Sequence, residues 1–276
     1  MISGACFFIN LLLTKISNMV TKKRLFFDIE TSFNIGFFWR AGWKQTIMPE
    51  NIIRERAIIC ISWKWEDADE VHHLTWDKNQ CDKKMLKKFM KIMASADESV
   101  AHNGDRFDIK WLRTRCLKHR LDAFPVYNTI DTLKMAKSGF TFNSNKLDYI
   151  AKFLEVGEKM QTGGIDLWKA IVLDKDPEAL DKMVEYCDQD VIVLEAVYNE
   201  LKNYVRHKTN YATMAGGETY ECPECGSADV KLRKSYSTAM GTMKRNLTCK
   251  KCDKNYVVSN RTYMKLLEYK IKNGIK

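Results

Sequence analysis

Apolar residues come in short, strand-length runs through the first part of this chain and at helical spacing further on. Runs at residues 24–31, 57–65 and 71–76 have the β-branched and aromatic content of buried strands, and a fourth leads through Val100-Ala101-His102 into Asn103-Gly104. Between the third and fourth, Met85, Leu86, Phe89, Met90 and Met93 recur at i, i+3, i+4 intervals, which predicts a helix over 82–94. Helical spacing returns over 107–119, over 147–154 behind the capping candidates Asn143 and Ser144, and over 177–205, a long stretch opened by Asp-Pro-Glu. Strands and helices in this order predict an α/β fold with a mixed sheet flanked by helices. Near Met214-Ala215-Gly216-Gly217 the pattern breaks into short β-like pieces and a last helix from about Thr262. The expected organisation is an N-terminal extension over 1–21, a main domain over 22–211 and a small module over 212–276.

Composition sharpens this picture in three ways. With 276 residues, 45% of them hydrophobic, the chain has enough apolar material for one substantial core, which excludes a basic disordered tail. Its net charge of +10 points to a polyanionic partner, and the residues from Met214 onward hold 13 Lys and Arg against 6 Asp and Glu, so most of the excess sits in the small module. Of nine cysteines, Cys6, Cys60, Cys81, Cys116 and Cys187 are scattered singles, the usage of a reducing compartment, and the expected location is cytoplasmic. The apolar run from Ala5 to Leu13 is too short to span a bilayer and has no basic residue before it, so no membrane partner is expected. Met19 offers an alternative start.

Chemistry first shows in the strand Leu25-Phe26-Phe27-Asp28-Ile29-Glu30-Thr31. Strand side chains alternate faces, so Asp28 and Glu30 share one. Two anions side by side on a half-buried surface repel each other unless a divalent cation lies between them. A second acidic cluster, His102-Asn103-Gly104-Asp105-Arg106-Phe107-Asp108, falls where a strand turns into a helix. Asp105 suits an N-cap, but periodicity alone leaves Asp105 and Asp108 both open as ligands. In the third, Glu185-Tyr186-Cys187-Asp188-Gln189-Asp190, Tyr186 and Asp190 lie four apart on one helix face, with Asp188 turned away toward solvent.

Taken in order, Phe27-Asp28-Ile29-Glu30-Thr31, Asn103-x3-Phe107-Asp108 and Tyr186-x3-Asp190 resemble the DEDDy-type 3′–5′ exonucleases of the ribonuclease H-like superfamily, which include the proofreading domains of family-B DNA polymerases. The resemblance covers about residues 22 to 206 and favours Asp108 over Asp105. It implies a ribonuclease H-like sheet, with Asp28, Glu30, Asp108 and Asp190 holding two Mg²⁺ or Mn²⁺, and Tyr186 orienting the attacking water. It implies a hydrolase acting on nucleic acid, with single-stranded DNA favoured, in proofreading, replication or repair alongside a separate polymerase. Thr31 and Asn103, beside the acidic motifs, are candidate substrate contacts. The rivals are a non-catalytic nucleic-acid-binding scaffold and an RNA-processing nuclease on the same fold.

The remaining cysteines form two C-x2-C pairs, Cys222/Cys225 and Cys249/Cys252, close to the spacing of a four-cysteine zinc site. Strand-like pieces at 229–234, 245–248 and 256–258 predict a zinc ribbon, too small to fold without its Zn²⁺. Lys231, Arg233, Lys244 and Arg245, with Tyr236, Tyr256 and Tyr263, suit nucleic acid; the blander role of its lysines is to solubilise the module. Finally, Phe33, Phe37, Phe38, Trp39 and Trp43 follow the first acidic motif. They are expected as a hairpin packed on the core rather than as a base-stacking platform.

Overall fold

Strand β1 (Arg24–Thr31) forms where the chain alternates most regularly, and the first unit is built on both its sides. The structure, a computed structural model, describes residues 23–40, 42, 46–122, 128–158, 160, 163–205 and 209–275. They fall into two compact units that part between Leu201 and Lys202. The extension expected over 1–21, and Trp43, lie outside the described residues.

In the first unit, β1 pairs antiparallel with β4 (Ile58–Trp65) and parallel with β6 (Glu98–Ala101). β5 (His72–Thr75) extends the sheet beyond β4, and β7 (Thr129–Asp131) beyond β6, giving the order β5-β4-β1-β6-β7. This is the predicted mixed sheet. Leu25, Phe27 and Ile29 bury one face of β1 against Met85, Leu86, Phe89 and Met93 of α1 (Lys83–Ala94) and Leu112 of α2 (Asp108–Lys118). Phe26 points the other way, into a cluster with Val191, Leu194 and Tyr198 of the long helix α6 (Pro177–Leu201). Each such side chain contributes about 1.5–3 kcal/mol by leaving water. Arg24 is fully buried at the strand's start, 2.5 Å from Glu66 and 2.8 Å from Glu98, with its guanidinium over the Tyr198 ring. A buried charge is tolerated only with such partners.

Three local expectations change. Strand β7 and helix α3 (Thr132–Gly139) were not predicted, because a strand as short as Thr-Ile-Asp has no readable period. Helix α4 (Leu147–Phe153) has Lys146 at its N-cap without a side-chain bond; Asn143 instead donates to the Tyr149 hydroxyl, so neither capping candidate caps. The Asp-Pro-Glu start of α6 does behave as read, since Asp176 Oδ1 accepts from the Glu178 amide at 2.9 Å. Its end comes at Leu201, short of the expected 205.

The aromatic stretch is also corrected. Short strands β2 (Ile35–Gly36) and β3 (Ile52–Arg54) do make a hairpin, and Phe33 packs on the core, but Phe37, Phe38 and Trp39 stand 52%, 56% and 99% exposed. The hairpin forms a two-stranded sheet of its own, separate from the main sheet. Helix α5 (Ile165–Lys169) then runs into a single π-helical stretch, Ala170–Asp174.

The second unit holds α7 (Tyr211–Met214) and an antiparallel sheet ordered β10-β9-β8: β8 (Val230–Ser237), β9 (Met243–Cys249) and β10 (Asn255–Ser259). Helix α8 (Asn260–Lys272), capped by Ser259 Oγ accepting from the Thr262 amide, closes the chain's described part. Its core is small: Tyr220, Val230, Leu247, Val258 and Leu266 around Cys222 and Cys249.

Candidate active site

Because Phe27 and Ile29 are drawn into the α1 side, Asp28 and Glu30 face α6, half-buried. Helix α6 crosses that face and presents Asp190, 3% exposed. Carboxylate oxygens of Asp28, Glu30 and Asp190 all lie within 4.8 Å of one another. Like charges about 4 Å apart repel by about 4 kcal/mol per pair at an effective dielectric of 20, so this trio is an oxygen-rich seat for a hard divalent cation.

Asp108 joins from the first turn of α2, 1% exposed, with Oδ1 lacking a hydrogen-bond partner. Burial first, then the charge of Asp28, push its carboxyl well above the usual carboxylate range; Glu30 adds to this, and the Asp108 and Ile29 amides oppose it. Asp105 goes elsewhere, accepting from the Thr129 hydroxyl at 2.6 Å and Lys134 Nζ at 2.5 Å. Helix α2 has Phe107 at its N-cap and no side-chain cap bond, so Asp105 does not cap that helix, and Asp108 is the acid that feels the charge of Asp28.

Tyr186 is half-buried one turn before Asp190, beside the cluster of Ile59, Cys60 and Met183. Asp188 does not face solvent as the helical wheel suggested. Its Oδ2 lies 3.1 Å from His73 Nδ1 on β5, because α6 lies broadly across the sheet and covers more than one stripe of it. Sequence reasoning also missed Cys187, whose thiol lies 3.6 Å from the Asp28 carbonyl oxygen and 3.8 Å from its Oδ2. Burial raises the Cys187 thiol well above its ordinary value, so it packs as a neutral group beneath the acidic cluster.

A cleft of about 580 Å³ opens over Asp28 and Asp190, with Asn103, His102, Lys137 and Lys146 among its walls. Asn103 adopts a left-handed φ of 64° at the end of β6, and its amide donates to Asp131 Oδ1. His102 is fixed by Thr132 Oγ1 at 2.9 Å and the Asn145 carbonyl at 3.0 Å. Neither lysine carried a sequence signal, since α3 and the loop before α4 reach the cleft only through the β6–β7 pairing. Thr31, at the other end of β1, accepts from Trp168 Nε1 through its carbonyl and lines a separate, more apolar hollow with Phe33 and Arg56.

In the second unit the four cysteines converge. Cys222 and Cys252 sulfurs are 3.6 Å apart, as are Cys225 and Cys249, and all four lie within 4.8 Å. Tetrahedral thiolates at Zn–S distances of about 2.3 Å place their sulfurs about 3.8 Å apart, so the donor set fits Zn²⁺. The two knuckles match: four residues after the first cysteine of each pair, Gly226 and Asp253 take φ of 69° and 57°. Glycine and aspartate tolerate that left-handed turn. Lys231 and Arg233 lie on the edge strand β8 and Lys244 on the central strand β9, whereas Arg245 bonds Asn260 and covers the Tyr263 ring on α8. A further group, Cys81, Asp82 and His119, is no metal seat: Arg115 holds Asp82 through both carboxylate oxygens, at 2.6 and 2.9 Å.

Comparison with known proteins follows the same lines. A family model described as the RNase_H superfamily matches residues 53–202. Over 98 residues, 35% of its length, the chain is 32% identical to DNA polymerases of Thermococcus kodakarensis and Thermococcus hydrothermalis, but it spans about 5% of the length of either. The structure aligns with the family B DNA polymerase of the hyperthermophilic archaeon Pyrobaculum calidifontis at a TM-score of 0.50 and 17% identity, covering 66% of this chain and 25% of that one. That last likeness is one of fold. Among the described residues, no helix is long and apolar enough to cross a membrane.

Proposed function

This chain belongs to the RNase H superfamily, and we propose that it is a metal-dependent 3′–5′ exonuclease acting on single-stranded DNA. The observation that carries the reading is the meeting of Asp28, Glu30 and Asp190 within 4.8 Å, with buried Asp108 beside them, at a cleft wide enough for a nucleotide. Two Mg²⁺ or Mn²⁺, when bound, would activate water and stabilise the leaving 3′-oxygen. Asp28 reaches both Asp190 and the neighbourhood of Asp108, which suits it to bridge the pair. Tyr186, a turn before Asp190, would orient the attacking water. Lys137 and Lys146, on the cleft wall, would meet the phosphate chain. The polymerase relatives favour a replication or repair setting, alongside a separate polymerase. One Zn²⁺ on Cys222, Cys225, Cys249 and Cys252 would be structural.

A 5′-labelled single strand incubated with Mg²⁺ or Mn²⁺ is expected to shorten stepwise from its 3′ end. A folded Asp28→Ala/Glu30→Ala variant is expected to lose at least about a thousandfold in rate, since both ligands hold the reacting centre. Running duplex DNA, RNA and 3′-blocked strands in parallel sets the substrate. A zinc-loaded, folded wild type that cleaves none of them sinks the nuclease reading in favour of a binding scaffold.

A further inference from the structure

The ribbon sheet has two unlike faces, and the cross-strand register says which residue lies on which. Arg245, Leu247 and Cys249 of β9 point toward α8, as the Arg245 bonds to Asn260 establish. Their neighbours Lys244, Asn246 and Thr248 therefore lie on the opposite face. Pairing extends that face across the sheet: Tyr236 sits opposite Lys244, Lys234 opposite Asn246, Lys231 opposite Thr248, and Val257 of β10 opposite Asn246. A β-bulge between Leu232 and Lys234 breaks the alternation of β8. It turns Arg233 onto this same face, where its Nη1 reaches Asn255 Oδ1 at 3.3 Å. Without the bulge, Arg233 and Lys234 would point to opposite sides.

We infer that this face is a sequence-independent platform for single-stranded nucleic acid. Lys231, Arg233, Lys234 and Lys244 provide a cationic track, and between Val230 and Ser259 the only acid is Asp253. Tyr236 and Val257, 39% and 47% exposed, stand on the track's outer half as surfaces for bases. Exposure continues along β8 from Lys231 to Ser237, and as an edge strand it leaves one side clear for a backbone to pass. Charge complementarity selects a polyanion, and apolar ring surface among the cations selects one with unstacked bases over a duplex. Val257 thus joins the residues that would meet the strand. Arg245 does not, being spent on Asn260 and the Tyr263 ring of α8, and neither does Tyr256, whose hydroxyl donates to the Tyr220 carbonyl.

The test is binding of fluorescein-labelled dT20 by fluorescence anisotropy, using the full chain with zinc and the Asp28→Ala/Glu30→Ala background, so that cleavage plays no part. Lys231→Gln/Arg233→Gln/Lys234→Gln/Lys244→Gln is expected to weaken binding about tenfold or more and to reduce the salt slope by about three, at about 0.7 for each phosphate no longer neutralised. Tyr236→Ala is expected to weaken it about tenfold at constant salt slope. A charge-matched control on the knuckle and α8, Lys251→Gln/Arg261→Gln/Lys265→Gln/Lys272→Gln, is expected to stay within about twofold. Zinc content of one per chain certifies folding of each variant. Equal losses in face and control variants, or tighter binding of a matched duplex, would overturn the assignment. Either result leaves the nuclease reading standing, just as absent cleavage leaves this one.

Discussion

Strands β1 and β8 have the same length, eight residues, and opposite fates. β1 is buried from Arg24 through Phe27 and again at Ile29, while β8 is exposed at every position after Val230. β1 lies inside its sheet with helices on both faces, so its apolar side chains hold the unit together and its two acids are forced into company. β8 lies at an edge with one helix on one face, so it contributes little apolar burial and much charged surface. A sheet that must organise chemistry is built around a core. A sheet this small has to be tied by something stronger per residue than apolar contact, which is where four cysteines enter.

That contrast can be broken most directly at the cysteines. Chelating the proposed zinc removes a term of about 10–16 kcal/mol in structural zinc sites, and replacing Cys249 by Ser removes part of it. Hydrogen exchange is expected to lose protection throughout β8, β9 and β10 while β1 and β4 keep theirs. Retained protection in β8 after zinc removal would mean that the small core suffices alone. A smaller effect, about 3–5 kcal/mol, is expected for Phe27→Ala, which empties the centre of the larger core. Denaturant unfolding of the first unit reads it, with zinc content unchanged, and a cost below about 1 kcal/mol would contradict the central place given to β1.

The smallest effect separates the units by pH. Burial would raise the Asp82 carboxyl, but bonds from Arg115, the Ile58 amide and His119 outweigh it and leave it below its ordinary value of 3.8. A carboxyl with a lowered folded pKa adds stability that is present above 3.8 and lost as pH falls through the folded value. Unfolding of the first unit is therefore expected to become easier in acid below that point, and Asp82→Asn is expected to flatten this part of the pH profile while lowering stability at neutral pH. Thiolate-bound zinc leaves at milder acidity, because protons compete for sulfur, so the ribbon should open first on acidification.

Much of this molecule was legible in advance because the relevant signals were local. The parity of Asp28 and Glu30 follows from strand geometry, and the one-turn interval between Tyr186 and Asp190 from helix geometry. The two C-x2-C pairs declare a knuckle each, wherever the chain goes between them. The failures at the site have a common cause as well: each concerned which surface a side chain meets. Asp105 and Asp108 are indistinguishable until β7 and α3 supply Thr129 and Lys134 as partners for the first. Asp188 looked solvent-bound because a helical wheel has no neighbour in it, and His73 is that neighbour.

The sheets make the same division. Alternation, composition and motif order in the amino-acid string were enough for the mixed sheet, its acidic strand and a small module with four converging cysteines, since short-range covalent geometry governs all three. Long-range packing alone decided that Lys137 and Lys146 wall the cleft, that Phe37, Phe38 and Trp39 stay outside the core, and that a single bulge gathers Arg233 and Lys234 onto one face while α8 takes Arg245. A side chain's direction relative to its own backbone is a property of the strand or helix, but what it faces depends on residues far along the chain, and only the folded core brings those together.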